Sequence, residues 1–158
     1  MKSTGEAIGY DKKLSRAMYK ALVAAGTKVQ NYGTVIVTLA DEDKEEAVPL
    51  IRRFYDLGLN IEATDLTAKT MREHGIRTRT LRKLSEGSTQ ILDAIRAGYV
   101  SYVINTRAIM SGVHYEDGTA IRQTAVENGV TIFTSLDTVR VLLDVLEETT
   151  LTISTIDA

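Results

Sequence analysis

The chain has 158 residues, 44% of them hydrophobic and 25% charged, which suits one ordinary globular domain. Its 19 Lys and Arg against 21 Asp and Glu leave a net charge of −2, so no global pull toward nucleic acid or a membrane surface is expected. The lack of Cys excludes disulfides and thiol chemistry, and two His argue against a multi-His metal centre.

No apolar run approaches the ~18 residues of a membrane helix. The opening MKSTGEAIG has no apolar core behind its Lys. No signal peptide is therefore expected, and the cytoplasm is the expected location.

Glycines punctuate an alternation of helical and β-rich segments. Residues 11–25 place Leu14, Met18, Leu22 and Ala25 on one face of an amphipathic helix, with Gly26 as its stop. Residues 33–39 (GTVIVTL) read as a strand whose continuous apolar run suits a parallel sheet covered on both faces. A helix over 42–57 follows, with Asp41, Glu42 and Asp43 at its positive end and Gly58 at its close. Pro49 falls inside it, so a kink there, or a start near Val48, is expected.

The alternation repeats: strand 59–63, helix 66–74, strand 78–81, helix 89–97, strand 99–105, helix 119–128, strand 130–134 and helix 136–147, with Ser135 as the last N-cap. The tail 149–158 carries β-formers without an evident partner. Strand and helix alternating through short joints mean parallel β-α-β units and a sheet with helices on both faces. Such sheets bind ligands beyond the carboxyl ends of their strands, so the loops after strands are the ones to search.

Four segments fall there. Thr64 and Thr67 lie three apart at a helix start, where both hydroxyls can meet an anion beside free backbone N–H groups; a simple N-cap at Thr64 or Asp65 is the competing explanation. Arg72, Arg77, Arg79, Arg82 and Lys83 form a basic run that is either a solvated face or one or two charges aimed at a phosphate. Asn105 and Thr106 close an apolar strand, either as a turn or as partners for a sugar or base edge. Lys44 stands among acids in DEDKEE. Together they point to an anionic small-molecule site. No P-loop, GxGxxG or Ser-His-Asp pattern is present, and His74 and His114 lie far apart in the chain.

Residues MKSTGE (1–6), ATDLTA (63–68), LRKLSEG (81–87), YVINT (102–106), AVENGV (125–130) and TSLDT (134–138), in that order, resemble the C-terminal regulatory domain of the large subunit of carbamoyl phosphate synthetase. The resemblance implies an α/β fold: three layers, α/β/α, around a mostly parallel five-stranded sheet of the methylglyoxal-synthase-like type. It implies that residues 1–30 are the end of a preceding synthetase domain plus a linking helix, that 31–148 are the regulatory domain, and that 149–158 are a tail.

In function, the resemblance implies an allosteric domain of the glutamine-dependent enzyme that makes carbamoyl phosphate for pyrimidine and arginine biosynthesis. The effector would be UMP, IMP or phosphoribosyl pyrophosphate. Thr64 and Thr67 would hold its phosphate, Lys83 and Lys44 would supply positive charge, and Asn105 and Thr106 would meet the ribose or neighbouring groups. Phe133 and Ser135 mark a possible ornithine-type site, with Phe133 where ornithine-responsive members carry Tyr. Leu66 stands where the family often has Gly.

No cofactor or metal is implied in this chain; ATP with Mg or Mn belongs to the parent enzyme. The implied partners are the rest of the large subunit and the glutaminase small subunit, in an oligomer. The chain alone is expected to be non-catalytic. Methylglyoxal synthase, a lyase of the same fold, needs a carboxylate base, and Ser88 falls where that Asp would stand, with Glu86 two positions away. A purely oligomerising domain is the third reading.

Overall fold

In a computed structural model of the chain, the described residues are 14, 16–24, 26–27, 29–82, 88–106 and 112–157, with side chains described in the last stretch over 119–149. Residues 16–24 form the first helix, α1. Five strands follow: β1 (Thr34–Thr38), β2 (Asn60–Thr64), β3 (Thr78–Leu81), β4 (Val100–Asn105) and β5 (Thr131–Phe133). Between and after them run α2 (Lys44–Asp56), α3 (Asp65–Glu73), α4 (Gln90–Arg96), α5 (Gly112–Glu127) and α6 (Leu136–Asp157). A 3-10 turn at Asp41–Asp43 leads into α2.

The strands are all parallel, in the order β3-β2-β1-β4-β5. Alternate residues of a strand face opposite ways. Val35, Val37, Ile61, Ala63, Tyr102, Ile104 and Phe133 therefore pack against α2, α3 and α6. Ile36, Leu81 and Val103 pack against α4 and α5. The three-layer α/β/α architecture expected from the alternation is the one observed. Because both faces are covered, β1 is buried along its whole length.

Charged clamps join the helices on one face. Arg53 of α2 reaches Glu147 of α6 at 2.5 and 3.0 Å and Asp144 at 2.8 Å. The hydrogen bonds to Glu147 hold its guanidinium more firmly protonated than usual. Arg140 of α6 pairs with Glu46 of α2 and, at 2.7 Å, with Asp137.

The first helix ends as its glycine suggests. Gly26 takes φ +86°, its N–H donates to Val23 O at 3.0 Å, and Thr27 N–H donates to Leu22 O at 2.9 Å. That pair of bonds is a Schellman close. Only Leu22 of α1 packs against the main core, while Tyr19 and Val23 stay exposed. Asp11 to Lys13, Ser15 and Ala25 of the expected helix lie outside the described residues.

Three expectations are corrected. Pro49 does not delay α2, which starts at Lys44 and runs through it. A start near Val48 would pull Ala47, fully buried, out of the core, and burial of Ala47, Val48, Leu50, Ile51 and Phe54 outweighs the lost backbone bond. Helix α5 begins at Gly112 rather than near 119 and carries Gly118 inside it. A helical Gly costs only about 1 kcal/mol, less than packing against a sheet returns. Helix α6 continues to Asp157, so 149–157 are helical rather than a β-prone tail. Propensity differences among Thr, Ile and Ser are a few tenths of a kcal/mol per residue, and extending a formed helix needs no new nucleus.

Gly33 makes the entry to β1 possible. Its φ is +98°, and a Cβ there would collide with Ser101 Oγ and come within 3.1 Å of Tyr99 O. Gly33→Ala is expected to destabilise the chain by at least about 1 kcal/mol, measured by urea unfolding, because both the left-handed backbone and the collision oppose it.

Candidate functional site

The strand order reverses between β1 and β4, which leave the sheet toward opposite sides. A crevice at the carboxyl end of such a pair is where open α/β sheets receive ligands. Thr38 pairs with Asn105 across that junction. Val37 pairs with Ala63, which sets Thr64 beside Thr38 on the other flank. Three polar side chains thus form a row along the sheet edge, each about 4.8 Å from the next. They lie on the α4 and α5 face, since Leu81, the register partner of Thr64, packs there.

Each member of the row has a distinct hydrogen-bond state. Thr38 Oγ1 donates to Asn105 Oδ1 at 2.8 Å. With Oδ1 turned to Thr38, the Asn105 NH2 has no hydrogen-bond partner among the described residues. Thr106 Oγ1 accepts the Ala40 N–H at 2.9 Å, tying the turn after β4 to the turn after β1. Thr64 stands at the N-cap position of α3, yet its side chain makes no capping bond. It is 2% exposed, and its hydroxyl has no hydrogen-bond partner among the described residues. The competing explanation of Thr64 as an ordinary cap therefore fails.

The other expected residues are placed as follows. Thr67 is buried in the first turn of α3, whose unsatisfied N–H groups face the same edge. Lys44 begins α2, also at that edge, and its Nζ donates to Asp41 at 2.7 Å. Lys83 lies outside the described residues, as does Glu86. Phe133 is buried against Tyr102, with ring centroids 6.0 Å apart. Ser135 Oγ accepts the Asp137 N–H at 3.2 Å and so acts as the expected N-cap of α6. The hydroxyl of Ser88 accepts the Gln90 N–H at 3.2 Å.

The basic run is divided among separate tasks. Arg72 Nε donates to Thr78 O at 3.1 Å and its Nη2 reaches the Thr80 hydroxyl, bracing the edge strand β3. Arg77 and Arg79 line a cleft at the opposite end of the sheet. His74 caps α3, with Nδ1 2.8 Å from Thr70 O.

Sequence reasoning missed Thr38. In the sequence it is only one residue of the apolar strand 33–39. The usable signal was positional: Thr38, Thr64 and Asn105 are each the last residue of a central strand.

The sequence matches the family model described as the MGS-like domain over residues 46–134, more than half of the chain. The chain belongs to the MGS-like domain family. Within this MGS-like domain, Thr64, Thr67, Asn105 and Thr106 fall inside the matched stretch, while Thr38 and Lys44 precede it. Among the described residues no helix is long and apolar enough to cross a membrane.

Proposed function

We propose that this MGS-like domain is the regulatory domain of a carbamoyl phosphate synthetase large subunit and that it binds a phosphorylated nucleotide without transforming it. The observation that carries the binding reading is the buried hydroxyl of Thr64 at the mouth of a helix, without a partner among the described residues. A buried hydroxyl without a partner costs about 1–3 kcal/mol. A phosphate oxygen there would accept from Thr64 and from the free N–H groups of the first turn of α3.

The neighbouring groups fit the remaining parts of such a ligand. Thr67 supplies a second hydroxyl in the same turn. The Asn105 NH2, oriented by Thr38, offers donors for ribose or base oxygens, and Thr106 holds the two loops at a set spacing. Lys44 reaches the phosphate by leaving Asp41, so the exposed carboxylate stands in for an anion until one arrives. Lys83 adds charge by resemblance. The same resemblance supports an ATP-using synthetase and a glutaminase subunit as partners in the whole enzyme, and an ornithine-type site near Phe133 and Ser135. Regulation then follows from linkage: a ligand favouring one state of the neighbouring domains shifts them by typically 1–3 kcal/mol.

The test is a thermal-shift panel of UMP, IMP and phosphoribosyl pyrophosphate on the chain. A ligand at 100 times its Kd stabilises the native state by about 2.7 kcal/mol, a rise of several degrees in Tm for a domain of this size. No shift with any of the three at millimolar concentration sinks the reading.

A further inference from the structure

A second cluster of charge lies at the amino ends of the strands, away from the row just described. An open cleft of about 810 Å³ is lined there by Asn60, Glu62, Arg77, Arg79, Tyr55 and Tyr99, among others. Glu62 and Arg79 are register partners on adjacent strands. Arg77, just before β3, lines the same cleft. Yet among the described residues neither guanidinium makes an ion pair or hydrogen bond.

Glu62 is only 5% exposed and, among the described residues, has one long bond, from the Tyr99 hydroxyl at 3.4 Å. Burial pushes its carboxyl above the ordinary carboxylate range, against the pull of Arg79 and the Tyr99 hydroxyl. A buried carboxylate with so little compensation costs stability, since buried charges are normally paired. Polar residues at the amino ends of strands need no such arrangement to fold. Two guanidiniums without a hydrogen bond among the described residues, one of them about one strand spacing from the buried Glu62, are complementary to a molecule bearing both charges.

We propose that this cleft binds a small zwitterion, with its carboxylate or phosphate on Arg77 and Arg79 and its ammonium on Glu62, beside the Tyr99 ring. The site is separate from the carboxyl-edge row and does not depend on what that row binds.

The test is an amide NMR titration of the full chain with two probes, β-alanine and phosphoethanolamine, which present the carboxylate and the phosphate in turn. At least one should give saturable shifts at Glu62, Arg79 and Tyr99. Inorganic phosphate alone and ethylamine alone should bind at least ten-fold more weakly. Glu62→Gln and Arg79→Gln should each weaken the probe at least ten-fold. Glu62→Gln is isosteric and removes a buried charge, so it should melt no lower than the parent chain; Arg79 is exposed, so its variant should fold as well. Both variants should keep any nucleotide-induced rise in Tm, which separates this outcome from the previous one. Lack of saturable shifts with both probes overturns the proposal. Binding of inorganic phosphate as tight as that of the zwitterion overturns it too, as does a Glu62→Gln chain that binds normally.

Discussion

Tyr102→Ala is expected to lower the unfolding free energy by about 3–5 kcal/mol, the range for deleting a fully buried aromatic ring. Tyr102 is 0% exposed on the central strand β4. Its ring lies between Phe54 of α2, at 6.1 Å between centroids, and Phe133 of β5, at 6.0 Å. Truncation would empty the middle of the larger core cluster. The hydroxyl has its own task. It accepts the Gln30 N–H at 2.6 Å and donates to Gln30 O at 2.8 Å, so one side chain satisfies both backbone groups of the segment that leads from α1 into β1. Burial pushes its pKa up to about 12, so it stays a neutral donor at any ordinary pH. Tyr102→Phe keeps the ring and strands Gln30, and should cost about 1–3 kcal/mol. Urea unfolding of the two variants separates packing from bonding. Equal stability of Tyr102→Phe and the parent chain would mean that the contact to Gln30 carries no weight.

Thr64→Val is expected to raise the stability of the ligand-free chain by about 1 kcal/mol or more while weakening nucleotide binding at least ten-fold. The two effects share one cause. Valine fills the space of threonine but brings no hydroxyl to be left without a partner, so the burial cost disappears. The same change removes the donor on which the proposed phosphate rests. Stabilising changes at binding sites commonly reduce function, and this pair of signs is what distinguishes a binding group from a packing one. Thermal melts with and without UMP, IMP or phosphoribosyl pyrophosphate read both effects in one experiment. A Thr64→Val chain that melts lower without ligand would show the hydroxyl to be a structural group. One that keeps its ligand response would place the phosphate elsewhere.

Much of the architecture was legible because it rests on local rules. Strand 78–81 was placed to the residue, and the others within one or two. Apolar runs bounded by glycines, with helical periodicity between them, leave few alternatives to a parallel sheet. The misplacements occurred where local signals disagree with packing. Pro49 and Gly118 look like breakers, and both sit inside helices whose buried faces outweigh them. Residues 149–157 look β-prone, and they extend a helix already formed.

The sites divide the same way. Thr64, Thr67 and Asn105 could be singled out from their positions after strands, because the carboxyl edge of a parallel sheet is a general property of the fold. The bond states that give them meaning could not. Whether the Thr64 hydroxyl caps α3 or finds no partner among the described residues is not decided by the backbone, which is extended as in any N-cap with ψ at 161°; it depends on the side-chain rotamer and on what the adjacent strand brings near it. The place of Thr38 at a strand end is a sequence signal, but its bond to Asn105 follows from register. The cleft at the other edge joins Glu62 to Arg79 and Tyr99, 37 residues from Glu62, through strand order alone. Composition and periodicity determined that this chain makes a covered parallel sheet with polar carboxyl ends, since burial and alternation act over a few residues at a time. Which side chains meet, and which polar atoms are left waiting for a partner, was decided by long-range register, where a shift of one residue would turn every side chain to the other face.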